Sequence, residues 1–215
     1  MQEESYLSVD TFKKFLVAIP KLHYFKNFDD PFIPQKPPMR AVGYQMLFCV
    51  LYYTCIRPIE ASRLTKGNVE LDRQILYSTN KKGSHKKTTI PLPLVSVLRE
   101  YLDRYIKDDQ VLFKGTLVNW WHYCKMAGKL AGIQYYDEFE NRRIEGLYTY
   151  VFKYAYTQRL EDLECRPSLI SIKLRHSPEG FVSSSTLRYA QRIKALLMFE
   201  NEHIIENLDD TIVFD

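Results

Sequence analysis

The sequence predicts a mostly helical single domain carrying one small antiparallel sheet. Three observations lead there. Apolar residues recur at helical spacing in successive segments, each bounded by proline, glycine or a capping side chain. One stretch, about residues 69–91, changes instead to short strand-like runs separated by polar turns. No repeat, low-complexity segment or linker divides the 215 residues, a length that alone allows one good core or two small ones.

In chain order, Ser8 or Asp10 can cap a first helix, Ser8 to Ile19, with Phe12, Phe15, Leu16 and Ile19 on one face and Pro20 as its stop. Residues 21–38, holding Pro31, Pro34, Pro37 and Pro38, read as an irregular connection. A second helix, about Met39 to Cys55, is apolar on most faces and therefore predicted buried. Pro58 cannot donate the helical hydrogen bond and crowds the preceding turn, so the chain bends near Arg57. Proline suits the first turn of a new helix, and Ile59 to Leu64 can form it. Arg57 thus falls at a helix–helix elbow, with Glu60 three residues on. An arginine ending an apolar run is costly unless an anion or a carboxylate meets it.

Val69–Leu71, Gln74–Ser78 and Lys87–Pro91 are the expected strands, with Asp72-Arg73 turning the first into the second and a polar loop, Asn80 to Lys86, before the third. Helical spacing resumes from Leu94 to Ile106. Thr116 can cap a helix running to Leu130, with Leu117, Trp120, Trp121, Cys124 and Leu130 inward and Gly132 ending it. Tyr136 to Glu145 reads as a polar, acidic loop. Helices follow at about Leu147–Leu163, Pro167–Leu174 and Ser183–Asn201, before an acidic and apolar tail.

A composition of 46% hydrophobic and 26% charged residues places the chain among globular proteins and excludes a disordered one. The net charge of +4 is mild, but Lys81, Lys82, Lys86 and Lys87 crowd one short segment, a patch suited to phosphates. Cys49, Cys55, Cys124 and Cys165 are scattered without zinc-like spacing, and three of the four sit among apolar neighbours and read as buried free thiols, which fits a reducing compartment. The N-terminus has no secretory pattern, and the apolar run Val42–Cys55 is too short to span a bilayer, so the expectation is cytoplasmic and not membrane-bound. The acidic groups Asp137, Glu138, Glu140 and Asp209, Asp210 have no nearby histidine or glycine-rich phosphate loop, which argues against a metal-dependent nuclease. On their own, Arg57 with Glu60 reads as a helix-end ion pair and the lysines as a solvated turn.

Taken together, Tyr53-Thr-Cys-Ile-Arg-Pro-Ile-Glu-Ala-Ser-Arg-Leu-Thr65 resembles the first-arginine box of the tyrosine recombinases, the phage-integrase family. The hairpin ending Thr88-Thr-Ile-Pro-Leu-Pro93 resembles that family's lysine hairpin. The likeness covers nearly the whole chain, from about Tyr6 to the last helix. Arg57 matches the first catalytic arginine, Glu60 the acidic residue after it, and Lys82 the catalytic lysine, with Lys81 the neighbouring register. Tyr150-Val-Phe-Lys153 stands where the family has His-x-x-Arg, so Tyr150 replaces the first histidine and Lys153 the second arginine. His176, in Ile172-Lys-Leu-Arg-His176, follows Lys153 by 23 residues, a separation usual in the family. Ser183-Ser-Ser-Thr-Leu-Arg-Tyr189 resembles the segment that delivers the nucleophile, with Pro178 to Phe181 as an insertion before it.

The resemblance implies a site-specific DNA recombinase or integrase catalytic domain of a virus, plasmid or other mobile element. DNA would be cut and rejoined through a 3′-phosphotyrosine, without metal, ATP or other cofactor. Arg57, Lys82, Lys153, His176 and Tyr189 would be catalytic, Glu60 and Tyr150 supporting, and Lys81, Lys86, Lys87 and Arg175 DNA-binding. It further implies double-stranded DNA as partner and a homo-oligomer, a tetramer, on that DNA, with a monomer compatible with the isolated domain. Residues 1–215 would be one catalytic domain without the family's N-terminal core-binding domain, and the segment from about 190 to 215 could pack on a neighbouring protomer. A non-catalytic DNA-binding protein on this fold, and a type IB topoisomerase-like or telomere-resolving enzyme, stay open as alternatives.

Overall fold

The computed structural model describes residues 7–22, 41–79, 83, 85–108, 110–137, 142–174, 198 and 211–212. Its axis is helix α2 (Ala41–Thr54), in which every residue from Val42 to Thr54 is buried. A helix apolar on all sides can be satisfied only by neighbours on all sides. Helices α1 (Val9–Leu22), α4 (Leu92–Tyr105) and α6 (Val151–Asp162) pack against it, α5 (Leu117–Leu130) packs on α1, and α7 (Pro167–Leu174) packs on α6. Aromatic rings fill the centre. Phe12 stacks on Tyr52 at 4.1 Å, Phe152 meets Phe12, Phe15 and Phe48, and Tyr44 lies flat on Tyr123 at 3.9 Å.

Helix α1 continues to Leu22, so Pro20 lies inside it rather than ending it. Proline at position 20 removes the N–H that would reach the Leu16 carbonyl. The buried Gln45 amide of α2 donates to that carbonyl instead, at 3.0 Å, so the acceptor freed by the proline is not left unpaired. The same amide donates at 3.5 Å to the Thr211 carbonyl, and the adjoining Ile212 is buried. This part of the tail therefore packs on its own chain. Of the expected connection over 21–38, Lys21 and Leu22 belong to α1, and the remainder lies outside the described residues. The expected last helix also lies outside them, apart from Met198, which is helical and exposed.

The sheet is antiparallel in the order β1 (Val69–Glu70), β2 (Ile75–Thr79), β3 (His85–Thr89). A 3-10 turn over Leu71–Arg73 joins the first two strands and closes on Gln74, left-handed at φ 54°. Thr79 pairs with His85 and Ile75 with Thr89, so β3 starts and ends two residues earlier than expected. Ile90 and Gln74 clamp the hairpin base through two bonds of 2.9 Å. Helix α4 begins at Leu92 and takes in Pro93, because Pro91 is its N-cap and the first turn needs no N–H from Pro93.

Thr116 caps α5 as expected, its hydroxyl accepting from the Asn119 N–H at 3.2 Å. The buried stripe of α5 is Trp120, Tyr123, Cys124, Ala127 and Gly128, while Leu117 and Leu130 are exposed at the helix ends. The expected loop over 136–145 is instead largely a ribbon, β4 (Gln134–Asp137) paired antiparallel with β5 (Arg142–Glu145). Its base crosses α5 backbone to backbone. A Cβ at Gly128 would stand 2.6 Å from the Leu147 N, and one at Gly146 only 2.4 Å from the Lys125 carbonyl. Helix α6 starts at Val151, after a turn, rather than at Leu147, and α7 starts at Pro167 as expected and is described as far as Leu174. All four cysteines are buried thiols, none of them in a disulfide. Among the described residues no helix is long and apolar enough to cross a membrane.

Candidate functional site

Helix α2 ends where the Thr54 hydroxyl donates back to the Val50 carbonyl and Cys55 turns left-handed, at φ 54°. Side chains bearing a Cβ seldom adopt that conformation, and it reverses the chain at once. Arg57 then stands extended as the N-cap of α3 (Pro58–Ala61), with Pro58 in the first turn. Glu60 sends Oε2 back to accept the Arg57 backbone N–H at 2.8 Å, the glutamate half of a capping box. Its carboxylate is 1% exposed, whereas the Arg57 side chain is 47% exposed. The second carboxylate oxygen lies 3.9 Å from Arg57 Nη1, an ion-pair distance too long for a hydrogen bond. Glu60 thus anchors the arginine from beneath, and the planar fork reaches outward from the elbow.

Lys153 lies in the first turn of α6, half-buried. Its carbonyl accepts from the Thr157 hydroxyl at 2.8 Å and from the Cys55 thiol at 3.8 Å. The sulfur contact ties α6 to the elbow two residues before Arg57, so both cationic side chains spring from adjoining backbone. Tyr150 stands at the N-cap position of α6, without a side-chain capping bond and 53% exposed, and Tyr154 is 66% exposed. Positions 150, 153 and 154 share one helix face. The structure therefore brings Arg57, Glu60, Tyr150 and Lys153 to one corner of the molecule.

On β3, Lys86 and Lys87 alternate between the two sheet faces, as successive strand residues must. Lys86 pairs with buried Ser78 and is half-buried. Lys87 pairs with Tyr77, is exposed, and holds its ammonium 5.6 Å from that ring. Lys81, Lys82, Arg175, His176 and Tyr189 lie outside the described residues, so their positions rest on sequence.

One residue near this corner escaped the sequence reading. Lys173 of α7 is 1% exposed, donates to the Thr89 hydroxyl at 3.2 Å, and sits 5.2 Å from the Tyr156 ring. The available signal was a lone charge inside the otherwise apolar run Leu169-Ile-Ser-Ile-Lys-Leu174.

No protein-family sequence model matches the chain, and no curated protein sequence does. Solved structures do. XerA recombinase superposes with a TM-score of 0.59 at 18% identity, over 96% of this chain and 67% of that one. XerH site-specific recombinase, in a pre-cleavage complex with its difH substrate, gives 0.57 at 14% identity, over 89% of this chain and 54% of that one. The Tn1549 transposon integrase, in complex with transposon right end DNA, gives 0.55 at 12%, over 92% and 67%. The helices, the three-stranded sheet and their order are those of a known architecture: the chain has the fold of the tyrosine recombinase catalytic domains.

Proposed function

We propose that this chain is the catalytic domain of a site-specific DNA recombinase or integrase acting through a 3′-phosphotyrosine. The observation that carries the reading is the elbow, where Arg57 faces outward over buried Glu60 and is joined to Lys153 through Cys55, in a fold shared with recombinases that are solved on DNA. A guanidinium fork held this way fits two phosphate oxygens, and charge developing on them in the transition state is what such donors stabilise.

In the proposed step the Tyr189 oxygen attacks the scissile phosphorus. The P–O bond to the 5′ oxygen breaks as the tyrosyl ester forms. Lys82 protonates the departing oxygen, and the phenol's proton is given up to solvent, so one phosphodiester is exchanged for another and no water or ATP is consumed. Arg57, Lys153 and His176 bind the nonbridging oxygens. Lys86 and Lys87 add phosphate contacts, as do Lys81 and Arg175. The partner is double-stranded DNA, with copies of the chain assembling on it.

A nicked suicide substrate tests this. Wild type is expected to leave an SDS-stable protein–DNA adduct and Tyr189→Phe to leave none. An adduct that survives Tyr189→Phe removes the assignment. Lys153 in place of arginine favours a second reading, a DNA-binding protein without catalysis, because an ammonium cannot make the bidentate fork. That reading takes over if wild type binds DNA, gives no adduct, and gains one with Lys153→Arg.

A further inference from the structure

Lys173 is a charge where the fold needs only an apolar plug. Its ammonium is buried among three elements: its own helix α7, strand β3 through Thr89, and helix α6 through Tyr156. Each leads to a group in the proposed site. β3 belongs to the hairpin whose connecting residues include Lys82, α6 carries Lys153, and α7 leads in sequence to His176, two residues beyond Leu174. Tyr156 in turn meets Tyr52 and Tyr53 edge-on, at 5.3 and 5.6 Å, on the helix that ends at the Arg57 elbow.

A leucine here would pack these elements but would let them slide. An ammonium demands acceptors in set directions, and its attraction to a ring face is likewise directional, so it fixes their mutual register. Burying it is costly unless those partners stay in place. We propose that Lys173 is a positioning residue, registering the hairpin and α6 against α7 so that the phosphate-binding groups converge. The catalytic part of this rests on the recombinase reading.

Single-turnover adduct formation at saturating protein on a suicide substrate tests it. Lys173→Met keeps volume and drops the charge. It is expected to slow adduct formation by about tenfold or more, while DNA affinity and its salt dependence stay as in wild type. Thr89→Val should slow the step too, and Thr89→Ser, which keeps the hydroxyl, should restore it. A wild-type rate for Lys173→Met overturns the proposal. So does a loss of DNA affinity that matches the loss of rate, or a Thr89→Ser no faster than Thr89→Val. Thermal melting reads the register apart from the chemistry. Thr89→Val takes one acceptor away from the buried ammonium and lowers Tm, and adding Lys173→Met should recover most of the loss. Simply additive changes overturn the contact. Recovery of Tm in a protein that never forms an adduct supports the register and sinks the recombinase reading instead.

Discussion

Arg57 owes its place to three local facts: a helix that ends in a left-handed cysteine, a proline that opens the next helix, and a glutamate that reaches back from its third position. The backbone is held by Glu60, while the side chain keeps only a long ion-pair contact with it. In the proposed function the fork itself is therefore the feature that would act on phosphate. Replacing it by a point charge at the same position should spare the fold and harm the chemistry. Arg57→Lys is expected to slow adduct formation by roughly two to three orders of magnitude with little change in Tm, measured as single-turnover cleavage beside a thermal melt. A normal rate would show that the guanidinium geometry is not used. Lys153 is fixed differently, since its carbonyl is the acceptor for both Cys55 and Thr157. These backbone contacts hold whatever side chain stands at 153, which makes exchanges there readable as chemistry.

At the scale of elements, the join between α1 and α2 shows how one side chain licenses an exception. Pro20 stays inside α1 because Gln45 takes over the orphaned Leu16 carbonyl. Gln45→Leu should leave that buried carbonyl without its donor, at a cost of about 1–3 kcal/mol. Adding Pro20→Ala restores a backbone donor and should return part of the loss. Chemical denaturation of the two single variants and the double variant checks this, and strictly additive values would rule the compensation out. The ribbon β4–β5 is a second case. Its strands are short and polar, so no alternating apolar pattern announces them. They are fixed at their root, where Gly146 and Gly128 let the chain cross α5 at backbone contact.

For the whole molecule, the core is aromatic and several of its phenols are buried. Burial pushes the Tyr123 hydroxyl up to about 12, and raises Tyr44 and Tyr101 above their ordinary value as well. Tyr101 also donates to the Leu112 carbonyl at 2.7 Å. Unfolded phenols lose their protons near pH 10, while the folded ones hold theirs. Above that pH the unfolded state binds fewer protons, so stability falls as pH rises. The contribution is fully present below about pH 10 and disappears as pH climbs through the raised folded values. Tm should fall steadily from that point, and tyrosinate absorbance from these rings should appear together with unfolding. A melting temperature flat to pH 12, or ionisation of all tyrosines in the folded protein, would contradict it.

What the sequence by itself determined is what local covalent chemistry controls. The elbow was legible because Pro58 acts on its nearest turns, and α2 because a helix apolar on every side has nowhere to go but inward. The cap at Thr116, the start of α7 and the lysine-bearing hairpin were legible for the same reason. Half of the candidate site, Arg57 with Glu60, could be read this way. Tertiary structure decided what depends on partners far along the chain. Pro20 is rescued from 29 residues beyond its orphaned carbonyl, Cys55 meets the Lys153 carbonyl across 98 positions, and Lys173 meets Thr89 across 84. Buried hydrogen-bonding groups must be paired, but the pairing partner is chosen by packing and not by neighbourhood in sequence. That is why a lone lysine in an apolar run looked like nothing until the fold set β3 and Tyr156 against it.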